Sequence, residues 1–159
     1  MRSFISVMLI SVFLFSCGKT AIGYNDTIIK PQLQIVGQLD SIFSDSQTSV
    51  ESIQNHRKKI ISISEKALNE LRELEDFKGN SEFKNSAQKY FSFVNHFYKN
   101  TENLDSILYK FNDENRIQSL DSTTFKSIQK KFNDYLDLEN ELLGEQKNFA
   151  GEFGFSLNK

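Results

Sequence analysis

This sequence has little of the residues that most often define a fold or a reaction. It contains one cysteine, one proline, seven glycines and no tryptophan in 159 residues. A single cysteine excludes an internal disulfide framework and any zinc site built from several cysteines. Because proline and glycine are scarce, turn signals are few, which argues against an all-β sandwich or barrel.

Charge of one sign is also lacking. The 19 Lys and Arg residues face 21 Asp and Glu residues, for a formal net charge of −2. Without a basic excess to neutralise a phosphate backbone, nucleic acid is not an expected partner. The length corresponds to one domain. Aromatic residues make up 13% of the chain and are mostly Phe, which is enough for a packed core.

The first seventeen residues are typical of an export signal. Met1-Arg2-Ser3 is a short basic start, and Phe4–Phe15 is apolar except for two serines. That run of about twelve residues is too short to span a bilayer as a mature helix and fits the hydrophobic region of a signal peptide. It ends in Leu14-Phe15-Ser16-Cys17-Gly18, which resembles the bacterial lipobox.

The lipobox resemblance implies that residues 1–16 are a cleaved signal peptide and that the Cys17 thiol carries a diacylglyceryl group. Residues 17–23 are then the lipidated cysteine and a tether, and residues 24–159 are the folded domain. Two or more acyl chains hold a protein stably at a membrane. The alternative is an ordinary secreted protein with a chance cysteine near its cleavage site. Since the only cysteine falls where a lipobox needs it, the lipoprotein is favoured.

Beyond the tether, four stretches repeat apolar residues at the spacing of an amphipathic helix. The first is marked by Ile28, Ile35 and Leu39. Pro31 lies inside it and either occupies the first helical position, with Lys30 as the cap, or kinks a helix that begins a few residues earlier.

The second helix is predicted to start at a capping box formed by Thr48 and Glu51. Gly79 is placed to end it in the left-handed conformation that glycine adopts easily. A third helix is predicted to follow Ser81 as its cap and to continue without interruption through Phe111.

The segment Asn112–Ser119 is polar and predicts a loop. The fourth helix is capped by Asp121 or Ser122, and Gly144 is a weak point within it. Strand-like alternation occurs only at Phe153–Leu157, which either covers the open end of the helices or docks elsewhere. The pattern therefore predicts an all-α fold, an antiparallel four-helix bundle following a cleaved signal peptide.

The segment Tyr24-Asn25-Asp26-Thr27-Ile28-Ile29-Lys30-Pro31-Gln32, followed by Ile35, resembles a motif of small helical surface lipoproteins of Bacteroidota and spirochaetes. That family has no established function, and the resemblance implies no enzymatic activity. In structural terms, Asn25 or Asp26 would cap the helix and Gln32 would satisfy a buried polar group. The alternative is that Tyr24, Asn25, Asp26 and Gln32 bind a ligand.

Arrangements of residues that support catalysis are missing from the sequence. Neither His56 nor His96 follows a Glu at the third preceding position, as a di-iron bundle requires. There is no glycine-rich phosphate loop and no supported nucleophile motif. We therefore expect no cofactor, no metal and no enzymatic activity.

The densest feature is the aromatic segment Tyr90–Tyr98, in which six of nine residues are large and apolar. That is more than one helix face buries in a simple bundle. Either these side chains line a ligand pocket or partner surface, or the third helix is central and touches several neighbours. The residues that would form such a surface are Tyr90, Phe91, Phe93, Phe97 and Tyr98.

These patterns together predict a non-enzymatic, membrane-anchored lipoprotein of the bacterial envelope, acting as an interaction or structural module for an envelope protein or polymer. The alternative is a periplasmic bundle that binds an apolar or amphipathic small molecule at Tyr90–Tyr98. Surface-export signals in such bacteria resemble clusters of acidic residues near the lipidated cysteine. Residues 18–23 lack such a cluster. The expected location is therefore the outer membrane, facing the periplasm.

Overall fold

The computed structural model describes residues 20–44 and 48–157, and within them the chain is all-helical, as predicted. Cys17, the predicted signal peptide and residues 17–19 of the predicted tether lie outside the described residues. The described part of the chain forms six helices: α1 Ala21–Phe43, α2 Val50–Glu73, α3 Glu82–Asn100, α4 Leu104–Phe111, α5 Glu114–Ile117 and α6 Ser122–Phe153.

Helix α1 begins earlier than the sequence predicted. The Thr20 hydroxyl accepts a hydrogen bond from the Gly23 N–H at 3.0 Å and so caps the helix. Residues 21–23, expected to belong to the tether, are therefore helical, and Asn25 and Asp26 are not caps. Pro31 lies inside the helix. It has no N–H to donate to the Thr27 carbonyl, which is the ordinary partner four residues back.

The start of α2 corrects the predicted capping box. Ser49, not Thr48, is the N-cap: its backbone is extended and its hydroxyl accepts from the Ser52 N–H at 3.1 Å. Thr48, the residue before the cap, is buried. Gly79 does not end α2 either. It adopts φ 87° in the turn that follows the helix, where Phe77 and Asn80 pair through their backbones.

The predicted third helix is divided in two. After α3, Thr101 is extended and Asn103 adopts a left-handed φ of 54°, so α4 starts in a new direction. Ser81 precedes α3 but makes no side-chain capping bond. The predicted loop Asn112–Ser119 contains the short helix α5, whose N-terminal N–H groups are capped by the Asp113 carboxylate.

Helix α6 follows the prediction closely. The Asp121 carboxylate accepts from the N–H groups of Thr123 and Thr124 at 3.0 and 2.9 Å and caps the helix. The helix continues through Gly144 for 32 residues and ends at Gly154, which adopts φ 69°. Residues 155–157 are not helical, and the predicted strand-like alternation does not form a strand in this described segment.

Helices α2 and α3 lie between α1 and α6 in the arrangement. Helix α2 packs against α1 on one side and α3 on the other, and α3 also packs against α6. The short helix α4 lies on α2, and α5 follows α4. The largest fully buried side chains come from the four long helices and α4: Tyr24, Tyr90, Tyr98, Phe83, Phe91, Phe149, Ile28, Ile35, Ile42, Ile53, Ile60 and Leu104.

Candidate functional site

The predicted aromatic site in α3 is mostly closed within the core. Tyr90, Phe91, Phe97 and Tyr98 are each at most 4% exposed. Helix α3 buries this many aromatic side chains because α2 and α6, its two long neighbours, each cover part of its surface. This is the arrangement expected of a central helix. The burial of these side chains weighs against a ligand or partner surface there.

Phe93 is the exception in this segment. It is half-buried, stacks with Phe97 at a centroid distance of 6.1 Å, and has the Lys131 ammonium 5.7 Å from its ring centroid. The aliphatic stem of a lysine commonly covers apolar surface in this way while its charge stays in water. Phe93 is therefore a boundary residue between α3 and α6.

Tyr24, the first residue of the lipoprotein motif, belongs to an aromatic cluster. Its ring centroid lies 5.3 Å from those of both Phe77 and Phe149, and the pair with Phe149 is stacked. Burial, together with the Asp76 carboxylate, raises the pKa of the Tyr24 phenol to about 12. We use "aromatic cluster" for the following residues: Tyr24, Phe77, Phe83, Phe149, Phe153 and Phe155.

Asn25 and Gln32 join α1 to α6. Asn25 Oδ1 accepts from Gln146 Nε2 at 2.9 Å, and Gln32 Nε2 donates to Glu139 Oε1 at 2.7 Å. Both motif residues are buried, so these bonds offset the cost of removing their amides from water. Gln32 thus donates to a partly buried carboxylate of α6, and its own Oε1 has no hydrogen-bond partner among the described residues.

Asp26, the remaining motif residue, faces outward. Its carboxylate lies 3.0 Å from the Lys30 ammonium one turn later in α1. The hydrogen bond from Lys30 lowers the pKa of Asp26. Because both side chains are exposed, an ion pair of this kind contributes little to stability.

A chain of hydrogen bonds connects the motif to the aromatic segment. Glu139 Oε1, which accepts from Gln32, also accepts from the Tyr135 hydroxyl at 3.0 Å. The Tyr135 hydroxyl lies 3.2 Å from that of Tyr90. We call these four residues the polar network. Burial raises the pKa of both Tyr90 and Tyr135.

The sequence singled out only two of the four members of the polar network, Gln32 and Tyr90, as candidate site residues. Tyr135 and Glu139 are not among the candidate site residues that the sequence singled out. Their spacing of four residues places them on adjacent turns of α6, which was the available signal. The long-range partners could not be read from spacing. The network links α1, α3 and α6 through neutral donors and one carboxylate.

Arg57 is a further polar residue that the sequence did not single out. Its Nε donates to the Tyr98 carbonyl at 2.5 Å, and its terminal nitrogens donate to the carbonyls of Lys99 and Thr101, each at 3.4 Å. The guanidinium also pairs with the Asp105 carboxylate at 3.2 Å. One side chain of α2 therefore caps the end of α3 and holds the first turn of α4.

Several surface grooves lie between the described helices, and two of them adjoin the residues discussed above. One of about 650 Å³ lies between α3 and α6, where Lys89 and Glu141 form an ion pair at 2.7 Å. The other, of about 480 Å³, lies between α1 and α2 beside Asp26 and Pro31. Both linings are mainly polar or charged and include none of the predicted aromatic site residues.

The two histidines lie apart from each other. His56 Nδ1 is 2.8 Å from Gln38 Oε1, and burial followed by the nearby Lys59 charge lowers the pKa of His56. His96 is exposed and contacts Asn100 one turn later. Across residues 20–44 and 48–157, no three His, Cys, Asp or Glu side chains converge in a manner suited to a metal ion.

No protein-family model, curated protein or solved structure matches this sequence. The resemblance of residues 24–35 to surface lipoproteins therefore stays a prediction from the motif itself. Among the helices of the described part, none has both the length and the apolar character needed to cross a bilayer.

Proposed function

We propose that this protein is a lipid-anchored, non-enzymatic module of the bacterial envelope that contacts an envelope protein or polymer. The observation that carries the proposal is the lipobox-like sequence Leu14–Cys17 after a short apolar run, with the only cysteine of the chain at its end. The anchor is the diacylglyceryl group on Cys17. The location is the outer membrane, with the helical domain in the periplasm.

The architecture that best accounts for the helix contacts is an antiparallel four-helix bundle of α1, α2, α3 and α6. Asn25 pairs with Gln146 and Gln32 with Glu139, so residue numbers rise along α1 as they fall along α6. The same reversal relates α3 and α6, where Phe83 contacts Phe149 and Phe97 contacts Phe132. In this arrangement α4 and α5 form an elaborated connection between α3 and α6.

The distribution of polar groups supports a structural or interaction role. The buried amides and hydroxyls of the polar network bond between helices, and Arg57 bonds to backbone carbonyls at a helix end. Such groups position helices relative to one another. They do not converge on either surface groove.

A helix face is the proposed contact surface. Leu33 of α1 and Leu136 of α6 are 59% and 51% exposed. They neighbour Gln32 and Glu139, the pair that joins these two helices. Exposed apolar side chains of this kind are suited to the apolar centre of a small protein contact.

The anchor is tested by metabolic labelling. The full chain is expressed in a diderm bacterium fed an alkyne fatty acid, and the purified protein is examined by intact mass and N-terminal sequencing. We expect the label on the wild-type chain, with Cys17 as the first residue, and none on Cys17→Ser. A Cys17→Ser chain that also carries Ser122→Cys is the matched control, because it retains one exposed cysteine away from the lipobox.

Label on either variant, or a mature N-terminus other than Cys17, would contradict the anchor. The location is tested in the same cells by membrane fractionation and by adding protease to intact cells. We expect the protein in the outer-membrane fraction and intact after protease treatment. Cleavage in intact cells would place the domain on the outside.

A further inference from the structure

We propose that one end of the helical domain rests directly on the membrane surface, with the long helices standing away from it. This inference rests on the proposed lipid anchor at Cys17 and adds the orientation of the domain. We call this end the proximal end. It comprises the first turn of α1, the turn between α2 and α3, and the last turns of α6 with residues 154–157.

Ring contacts show that these three segments meet at one end. Tyr24 in the second turn of α1 contacts Phe77 of the α2–α3 turn at a centroid distance of 5.3 Å. Phe77 contacts Phe153 of α6 at 4.9 Å, and Phe155 contacts Phe149 at 6.0 Å. The aromatic cluster therefore closes the proximal end, and the C-terminal tail covers it.

The covalent chain limits how far this end can lie from the lipid. Cys17 and the helix cap Thr20 are three residues apart. Three residues reach about 11 Å at full extension. Whatever conformation they adopt, Thr20 stays within that distance of the lipidated cysteine. A domain of this size attached by so short a connection is held against the headgroup region.

The exposed side chains of the proximal end suit that environment. Ile22 in the first turn of α1 is 56% exposed. Lys78 is exposed at the tip of the turn, and its ammonium lies 5.6 and 5.9 Å from the ring centroids of Phe77 and Phe153. An apolar body with a cationic tip is typical of side chains at the boundary between headgroups and acyl chains.

Charge does not drive this contact. Lys84 pairs with Asp76 at 2.6 Å, and Asn80 donates to Glu152 at 2.7 Å. Among the described residues, the proximal end thus carries acidic groups together with its lysines and has no basic cluster. Attraction to anionic headgroups requires such a cluster. We therefore expect docking on a zwitterionic bilayer and little dependence on salt.

The orientation places the opposite end of the domain farthest from the membrane. Helix α1 has 23 residues and is about 34 Å long at 1.5 Å per residue. The end of α1 and the start of α2, with the exposed side chains of Phe43 and Val50, therefore lie that much farther from the membrane. Helices α4 and α5 reach the same distant region, since Asn112 donates to the Ile42 carbonyl.

Site-specific labelling tests the orientation. Because Cys17 is acylated in the proposed protein, one introduced cysteine can be labelled alone. The full chain with Ser156→Cys or Ser122→Cys, both at exposed positions, is labelled with a fluorophore. Each is reconstituted in phosphatidylcholine vesicles that contain a nitroxide lipid. Helix α6 separates the two positions by about 48 Å, so we expect quenching about tenfold stronger at Ser156→Cys.

Two further variants test the apolar contact. Ile22→Ser removes an exposed apolar side chain at the proximal end, whereas Leu33→Ser removes one of similar exposure farther along α1. We expect Ile22→Ser to lower the equilibrium constant for docking on the bilayer about tenfold. Quenching of the fluorophore at Ser156→Cys should therefore decrease. Leu33→Ser should leave it unchanged. Equal effects of the two variants would overturn the assigned surface.

The outcomes separate this inference from the anchor on which it rests. Intact mass first establishes whether the chain is acylated, and an unacylated chain means that the proposed anchor is wrong. An acylated chain with equal quenching at both positions has no preferred end toward the membrane. An acylated chain with no quenching at either position is held off the surface. Either result overturns the docking proposal while the anchor stands.

Discussion

Gln32 illustrates the role of single polar residues in this protein. It is 3% exposed and donates to Glu139, and Asn25 makes a comparable bond to Gln146 two turns earlier in α1. A buried amide that has no hydrogen-bond partner destabilises a fold by as much as several kcal/mol, because it has lost its hydrogen bonds to water. Bonds at two heights along the same helix pair therefore favour one register of α1 on α6.

At the residue scale, Tyr135→Phe should destabilise the protein by about 1–2 kcal/mol. The variant removes the hydroxyl that bonds both Glu139 and Tyr90, and it leaves the buried Tyr90 hydroxyl without that partner. The free energy of unfolding is measured by urea denaturation at neutral pH.

Tyr109→Phe is the matched control for this change. The Tyr109 ring stacks under the Arg116 guanidinium at 3.8 Å, a contact that phenylalanine retains. We expect its effect to stay within about 0.5 kcal/mol. If the two variants behaved alike, the polar network would contribute nothing measurable to stability.

At the scale of elements, the break between α3 and α4 is the main departure from regular helices. The apolar spacing continues through it, but the backbone turns at Thr101 and at the left-handed Asn103. Carbonyls at the end of a helix lack intrahelical donors. The Arg57 guanidinium supplies donors to three of them from a neighbouring helix and also pairs with Asp105.

Arg57→Met should therefore cost about 2–3 kcal/mol of unfolding free energy. Methionine keeps the apolar stem but leaves Asp105 and the helix-end carbonyls without their donor, in a site where the two charged side chains are less than one-fifth exposed. Urea denaturation gives the total effect, and amide hydrogen exchange should quicken selectively in α4.

Arg72→Met is the matched control, because Arg72 is exposed and bonds only to Asn69 one turn earlier among the contacts of the described residues. Its effect should stay within about 0.5 kcal/mol. Unchanged exchange in α4 of Arg57→Met would show that α4 is held by its apolar contacts with α2 alone.

At the scale of the whole molecule, the interior contains most of the tyrosines. Four of the five are buried, and burial raises the pKa of each: Tyr24, Tyr90, Tyr98 and Tyr135. Tyr24 lies in α1, Tyr90 and Tyr98 lie in α3, and Tyr135 lies in α6. Ionisation of any of them places a charge in the core, so alkaline unfolding should be cooperative.

The protein should therefore lose stability as the pH rises above 10. The folded state favours the neutral phenol, so the stabilisation is complete below the ordinary pKa of 10.0. For Tyr24 it is lost progressively as the pH approaches its raised pKa of about 12. Tyrosinate absorbance and far-UV circular dichroism are followed together as the pH is raised. The tyrosinate titration of the native protein should have its midpoint at a higher pH than the titration recorded in urea.

Tyr24→Phe serves as the comparison for this titration. It keeps the ring contacts with Phe77 and Phe149 and removes one buried ionisable group, so alkaline unfolding should shift to higher pH. Tyrosines that ionise at the same pH in the native protein and in urea would contradict the predicted burial of the phenols.

The sequence by itself determined the all-helical class and the apolar faces and narrowed the α6 cap to Asp121 or Ser122, because these depend on residues within a few positions of one another. The motif resemblance implied that Gln32 satisfies a buried polar group, but its partner Glu139 could not be read from the sequence. The lipobox resemblance is likewise local, and it alone supports the proposed anchor.

Only the tertiary structure decided where the helices break and which polar groups meet. Arg57 and Tyr98 are 41 residues apart, and Gln32 and Glu139 are 107 apart. Such contacts depend on how whole helices pack and leave no periodic trace in the sequence. Packing also decided the role of the aromatic segment. Because α2 and α6 both pack against α3, all of its large apolar side chains except Phe93 are buried in the core.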